Sequence, residues 1–141
     1  MIELPRPKYY ALIERKVVPI MDLMQWARWY EAARASDATR IGRDTVNGIL
    51  VSTIFLALDH GFKPWDGPEP VLFETMVFPE EYDPKDSSSG AGDRMYRYHT
   101  IEEAEAGHKA VVAALQEEHI AVGAELRAIF DRVREKVFGG V

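Results

Sequence analysis

Residues 49–60, with the sequence ILVSTIFLALDH, constrain the fold of this chain more than any other stretch. Nine of the first ten residues are apolar or β-branched, and Ser52 is the exception. Because such a run offers no polar face to water, it predicts a central β-strand that is covered on both sides. The run ends at Asp59 and His60, and functional sites are often built where a buried strand gives way to a loop.

The segments around this strand predict the rest of a sheet. Asn47-Gly48 is a strong signal for a hairpin turn, so residues 40–46 are expected to pair antiparallel with residues 49–58. Residues 71–78, VLFETMVF, predict a second buried strand, and residues 94–99 predict a short aromatic one. Between these two lie residues 79–93, whose serine, glycine, proline and acidic content predicts a mobile loop.

The N-terminal third predicts a hairpin followed by a helix. Residues 9–13 and 16–18 are short β-prone runs joined by a tight turn. Asp22 is a favourable N-cap for a helix over residues 23–35. That helix has an apolar stripe at the spacing i, i+3, i+4 and i+7, formed by Leu23, Trp26, Ala27 and Tyr30.

The C-terminal third has an apolar stripe at steps of three and four residues, which predicts a long helix over residues 101–137. Thr100 and Glu103 form a capping box at its start. An unbroken helix of this length would span about 55 Å, whereas a compact domain of this size is about 35–40 Å across. Two alternatives follow. The helix projects and pairs with its copy in a homo-oligomer, or it breaks near Gly123 into two helices.

Together these elements predict a single α+β domain over residues 1–141, with the order ββαββββα and an antiparallel-dominated sheet carrying packed helices. The chain has no cysteine, which excludes disulfides, thiol catalysis and cysteine-ligated metals. The net charge of −6 argues against bulk nucleic-acid binding. No signal peptide is visible and no apolar run approaches the roughly 20 residues of a membrane span, so we expect a cytoplasmic protein without a membrane partner.

Glu74 is the most informative ionisable residue, because it lies in the middle of a predicted buried strand. A buried carboxylate needs a partner, and the candidates are Arg94, Arg97, His60 and His108. Two interpretations are open. Glu74 is a general base or ligand contact with a raised pKa, or it is a polar link between the sheet and a helix.

The histidines raise the question of a metal site. His60, His99 and His108, together with Glu74, offer imidazole and carboxylate groups that zinc or manganese accept. The sequence has no HxH, HExxH or HxxxH spacing. We therefore predict no metal, no cofactor and no catalytic residue.

Aromatic and arginine side chains predict a ligand pocket instead. Rings that stack on a base, with a guanidinium that holds a phosphate, would suit a nucleotide. The alternative is that most of these aromatic residues pack in the core. The residues predicted to contact a ligand are Asp59, His60, Trp65, Glu74, Arg97, Tyr98, His99 and His108.

Four stretches of the chain resemble a known family: DLMQWARWYE, VSTIFLALDHGF, LFETMVF and YRYHTIEEAEAGH. They are similar to the patterns D-L-M-x-W-A-R-W-[FM]-E, VST-[VI]-FL-x-LDH-x-F, LFETM-[VI]-F and R-Y-x-T-x-x-EA-x-AGH of a family of small phage and prophage proteins. The resemblance covers about residues 9–112. It implies a phage accessory or host-takeover setting in the bacterial cytosol, and it brings no activity, substrate or catalytic residue.

Three functions are consistent with the sequence. The one we favour is a non-enzymatic binding protein that sequesters a small phosphorylated ligand, such as a nucleotide, or blocks a host protein. The second is a small hydrolase or lyase that uses Asp59, His60 and Glu74, which requires these groups to converge in a cleft. The third is a structural protein of an assembly, held together through the C-terminal helix.

Overall fold

The computed structural model describes residues 8–61, 67–79, 95–118 and 126–139. The α+β class and the order ββαββββα are confirmed, with a further helix after the last predicted element. In chain order the elements are β1 (Tyr9–Ile13), β2 (Lys16–Ile20), α1 (Leu23–Ala35), β3 (Arg40–Val46), β4 (Ile49–Phe55), β5 (Phe73–Pro79), β6 (Met95–Tyr98), α2 (Ile101–Glu117) and α3 (Leu126–Phe138).

The main sheet is antiparallel, with the strand order β3-β4-β5-β6, so β4 and β5 are its central strands. Asn47 and Gly48 both have positive φ angles, 50° and 78°, as the predicted two-residue hairpin turn requires. The register places Thr53 opposite Thr75 and Glu74 opposite Arg97. Residues 80–93 of the predicted mobile loop lie outside the described residues.

Strand β4 is fully buried on one face only, which corrects the prediction that both of its faces are covered. Its buried and partly exposed residues alternate along the whole strand. Helix α2 contacts all four strands from the side of the buried residues. We call this the inner face, and the opposite side the outer face. The inner residues of β4 are Ile49, Val51, Thr53 and Phe55, and the outer ones are Leu50, Ser52 and Ile54.

Helix α2 covers the inner face because its apolar residues recur every three or four positions. The Thr100 hydroxyl accepts a hydrogen bond from the Glu103 backbone N–H at 3.1 Å, so the predicted capping box forms. The buried residues of α2 are Ile101, Ala104, Gly107, His108, Val111, Ala114 and Leu115.

Of the two alternatives for residues 101–137, the structure has the one with two helices. Glu118 has an extended backbone that ends α2, and α3 folds back onto α2. The Arg132 Nε donates to Glu118 Oε1 at 2.6 Å, and Lys136 pairs with Glu117. In one continuous helix, residues 118 and 132 would lie about 21 Å apart. Residues 119–125, where the break near Gly123 was predicted, lie outside the described residues.

The folded-back helix removes the mismatch between helix length and domain size. Its stripe is used within the chain, because Ile129, Phe130 and Val133 are buried in the same core as α2. The homo-oligomer was predicted because a projecting helix would need a partner. Since α3 folds back, that reason no longer applies, and the homo-oligomer stays a prediction.

The β1-β2 hairpin and α1 form a second, less buried layer. The Trp26 Nε1 donates to the Tyr10 carbonyl at 3.0 Å, and the Trp26 ring stacks on Tyr30 with centroids 5.0 Å apart. Asp22 caps α1 as predicted, accepting from two backbone N–H groups. The predicted stripe is only partly correct, because Leu23 is exposed and Ala33 is the one fully buried residue of α1. No helix among the described residues is long and apolar enough to cross a membrane.

Candidate functional site

A chain of hydrogen bonds crosses the inner face and links all four strands of the main sheet to α2. The Tyr98 hydroxyl donates to Thr75 Oγ1 at 3.1 Å, and Thr75 Oγ1 lies 2.6 Å from Thr53 Oγ1. Thr53 Oγ1 lies 2.7 Å from His108 Nδ1. On the other side of the ring, His108 Nε2 lies 2.6 Å from Asp44 Oδ2. We call these five residues the inner chain.

The donors of the inner chain all point the same way. An ionised carboxylate can only accept hydrogen bonds. His108 Nε2 is therefore the nitrogen that carries a hydrogen, and it donates to Asp44 Oδ2. In a neutral imidazole, Nδ1 then accepts from the Thr53 hydroxyl. Thr53 in turn accepts from Thr75, which accepts from Tyr98. Every hydroxyl thus donates once and accepts once, except that of Tyr98, and a neutral His108 satisfies the whole chain.

The inner chain has the order of a hydroxyl–histidine–carboxylate triad, but its hydroxyls are enclosed. Thr53 and Thr75 have no exposed surface, so no substrate reaches them. The exposed end is Asp44, whose side chain is 55% accessible. We interpret the inner chain as a hydrogen-bond network that holds α2 in register on the sheet.

Two glycines allow the close contacts that the inner chain requires. A Cβ at residue 42 would lie 2.8 Å from His108 Nε2, and a Cβ at residue 107 would overlap the Tyr98 hydroxyl. Gly42 therefore allows β3 to approach the His108 ring, and Gly107 allows α2 to approach Tyr98.

A different cluster lies on the outer face. Glu74 is only 7% exposed, and Arg97, opposite it on β6, donates from Nε to Glu74 Oε2 at 3.2 Å. The Arg97 Nη1 also donates to the His60 carbonyl at 3.4 Å. Arg97, one of the four predicted candidates, is thus a partner of Glu74, whereas the candidate Arg94 lies outside the described residues. The pair links β6 to β5 and to the end of the segment after β4.

Three more of the predicted ligand residues stabilise the chain where these strands end. Asp59 Oδ1 accepts from the backbone N–H groups of Gly61 and Val71, at 2.9 and 3.0 Å. The backbone N–H of His60 donates to the Val71 carbonyl at 3.0 Å. His99 Nδ1 lies 3.0 Å from the Pro70 carbonyl oxygen, which accepts a hydrogen bond from it.

The predicted ligand residues therefore do not form one site. His108 and Tyr98 belong to the inner chain, and Glu74 and Arg97 to the outer face, whereas Trp65 lies outside the described residues. Sequence reasoning missed Asp44, Thr53 and Thr75. The available signal was a threonine in each of two buried strands, but only the register shows that the two face each other. Within the described ranges, no group of three or more histidine, aspartate or glutamate side chains could hold a metal ion.

A cleft of about 660 Å³ lies between β6 and the two C-terminal helices. We call it the edge cleft. The rings of Tyr96 and Phe138 stack with centroids 4.3 Å apart, and the Arg134 guanidinium lies 5.1 Å from the Tyr96 centroid. Burial raises the pKa of the Tyr96 hydroxyl, and the nearby Arg134 offsets part of this effect. The edge cleft is lined chiefly by Tyr96, Arg97, Tyr98, Glu103, Arg134 and Phe138.

Comparison of the chain with family models, with curated proteins and with solved structures finds no match in any of the three. The resemblance to phage and prophage proteins therefore remains a prediction from the motifs quoted above.

Proposed function

We propose that this protein is a non-enzymatic binding protein that holds a small planar anion, such as a nucleotide, in the edge cleft. The observation that carries the proposal is the pair of stacked rings beside the Arg134 guanidinium in one open cleft. A volume of about 660 Å³ falls within the range of about 300–1,000 Å³ typical of small-molecule sites.

The chemistry of the lining supports an aromatic, negatively charged ligand. A base can stack on the half-buried ring of Phe138, which itself stacks on Tyr96. Arg134 brings a guanidinium group to the lining, beside the carboxylate of Glu103. Guanidinium groups bind phosphate through paired hydrogen bonds.

The setting that we propose is a phage accessory protein in the bacterial cytosol, where it sequesters a host nucleotide or blocks a host protein. The support is the resemblance of the four motifs. Of these two roles, the edge cleft favours the binding of a nucleotide. Removal of a nucleotide signal would inhibit a host defence.

The test uses the full chain purified from bacteria. Heating the protein and analysing the supernatant shows whether a nucleotide was bound. Titration calorimetry with nucleoside mono-, di- and triphosphates then measures affinity. We expect Arg134→Gln to weaken binding about tenfold, since one charge-assisted hydrogen-bonding group is lost.

Arg28→Gln is the matched control, because Arg28 is exposed on α1 and is not part of the cleft lining. It should leave the affinity unchanged. If no bound species is released and no nucleotide raises the unfolding temperature, the ligand proposal is wrong.

A second candidate function is docking to another protein through the N-terminal layer. The hairpin and the start of α1 present exposed apolar residues on neighbouring positions, a feature that marks interaction surfaces. We call this the hairpin surface, formed by Ile13, Val18, Met21, Leu23 and Met24, which are 36–70% exposed.

Light scattering tests the hairpin surface. A homo-oligomer would dissociate in Met24→Lys and persist in the control Gln25→Lys, which changes an exposed polar residue beside it. A monomer that forms no complex with host proteins in cross-linking would contradict this second function.

The hydrolase or lyase alternative has weaker support. Asp59 is occupied by two backbone donors, and Glu74 is held by Arg97. Neither carboxylate is aimed at a shared reacting atom, which general acid–base catalysis requires.

A further inference from the structure

A second, smaller pocket lies between the C-terminal end of α1 and the outer face of β3 and β4. Its volume is about 230 Å³, below the range of about 300–1,000 Å³ that whole drug-sized ligands occupy. We call it the arginine pocket. The lining residues that matter here are Arg34, Asp37, Thr39, Arg40, Arg43 and Ser52.

The arginine pocket holds three guanidinium groups and one carboxylate. Arg40 Nη1 pairs with Asp37 Oδ2 at 3.1 Å. Arg34 donates from Nη1 to the Tyr30 hydroxyl at 3.1 Å, and this contact fixes its direction. Arg43 has no hydrogen-bond or ion-pair partner among the described residues. The local charge is therefore positive in a chain whose net charge is −6.

Two hydroxyl groups in the same lining also lack partners. Thr39 is only 7% exposed, and its hydroxyl makes no hydrogen bond within the part of the chain that the structure describes. The half-buried hydroxyl of Ser52 makes none there either. Buried polar groups are normally paired with protein or water, so the enclosed Thr39 hydroxyl beside the arginines indicates a site built for an acceptor.

We infer that the arginine pocket binds the oxyanion of a phosphate group, either as inorganic phosphate or as a small phosphate monoester. The phosphate oxygens accept from Arg43 and from the hydroxyls of Thr39 and Ser52, and they compete with Asp37 for Arg40. Arginine suits this task because its planar fork matches two oxygens at once. This site is separate from the edge cleft and does not depend on the function proposed for it.

Titration of the full chain with inorganic phosphate, and separately with methyl phosphate, tests the inference. Matched potassium chloride at equal ionic strength controls for screening. We expect both probes to bind, and Arg43→Gln to weaken binding about tenfold. Methyl phosphate binding more tightly than phosphate would show that the natural ligand is a monoester. Equal affinities would show a site for the anion itself.

A further variant keeps the test specific. Arg28→Gln, outside the pocket, should leave phosphate affinity unchanged. Arg43 is exposed and unpaired among the described residues, so its substitution should leave the unfolding temperature without ligand unchanged. The inference is overturned if phosphate does not bind more tightly than chloride, or if Arg43→Gln binds as well as the wild type.

Discussion

The two faces of the main sheet accommodate buried polar side chains in different ways. On the inner face, one imidazole and three hydroxyls are enclosed, and their hydrogen bonds end at the exposed carboxylate of Asp44. On the outer face, Glu74 and Arg97 are both charged, and the arginine stays about a third exposed. The comparison teaches that full enclosure is compatible with neutral, mutually satisfied groups, whereas charges are kept where water still reaches one partner.

Loss of the His108 ring should have the largest effect, because it removes the link between the sheet and α2. We expect His108→Ala to lower the free energy of unfolding by about 3 kcal/mol, through a cavity and an unpaired Thr53. Chemical denaturation measures this. His99→Ala, which removes one partly buried hydrogen bond, should cost about 1 kcal/mol. Equal losses in the two variants would contradict the role given to the inner chain.

A methyl group at residue 42 should test the fit between β3 and the same ring. We expect Gly42→Ala to lower the free energy of unfolding by about 2 kcal/mol, because its Cβ would press on the His108 ring. In the His108→Ala background the same substitution should cost close to nothing. Additive losses in this double-mutant cycle would show that another contact is responsible.

The Glu74–Arg97 pair should contribute less to the free energy of unfolding than His108 does, and its contribution should depend on salt. We expect Glu74→Gln to lower the free energy of unfolding by about 1 kcal/mol, discounted for the exposure of Arg97. The loss should shrink in about 1 M salt, because screening weakens the pair. The loss from His108→Ala should change little with salt. A salt-independent Glu74 variant would remove the distinction between the two faces.

The smallest effect concerns an exposed pair that ties the β1-β2 turn to α2. Arg15 hydrogen-bonds Glu105 and lowers the pKa of that carboxyl below its ordinary value of 4.5. The pair therefore contributes stability at neutral pH that is lost as the pH falls through the lowered pKa. Titration by nuclear magnetic resonance should show the Glu105 pKa rising in Arg15→Gln. An unchanged value would mean that the pair does not form in solution.

Local patterns of the sequence were sufficient for the elements and for one of the contacts. Asn47-Gly48 predicts its turn, because few residues accept two successive positive φ angles. The buried carboxylate of Glu74 predicts a charged partner, and Arg97 provides it. The split of the C-terminal stripe was left open, since a repeat of three and four residues continues through both helices and says nothing about a turn between them.

The residues of the chain determined by themselves the class of the fold, the elements and their order, because periodicity and turn chemistry act over a few neighbours. Tertiary structure alone decided which face of β4 is buried, that α3 folds back on α2, and that Asp44, His108 and Thr53 meet. These depend on register and on contacts between residues distant in sequence, such as the 55 positions that separate Thr53 from His108. No local pattern encodes such a distance, because it is the packing of whole elements that sets it.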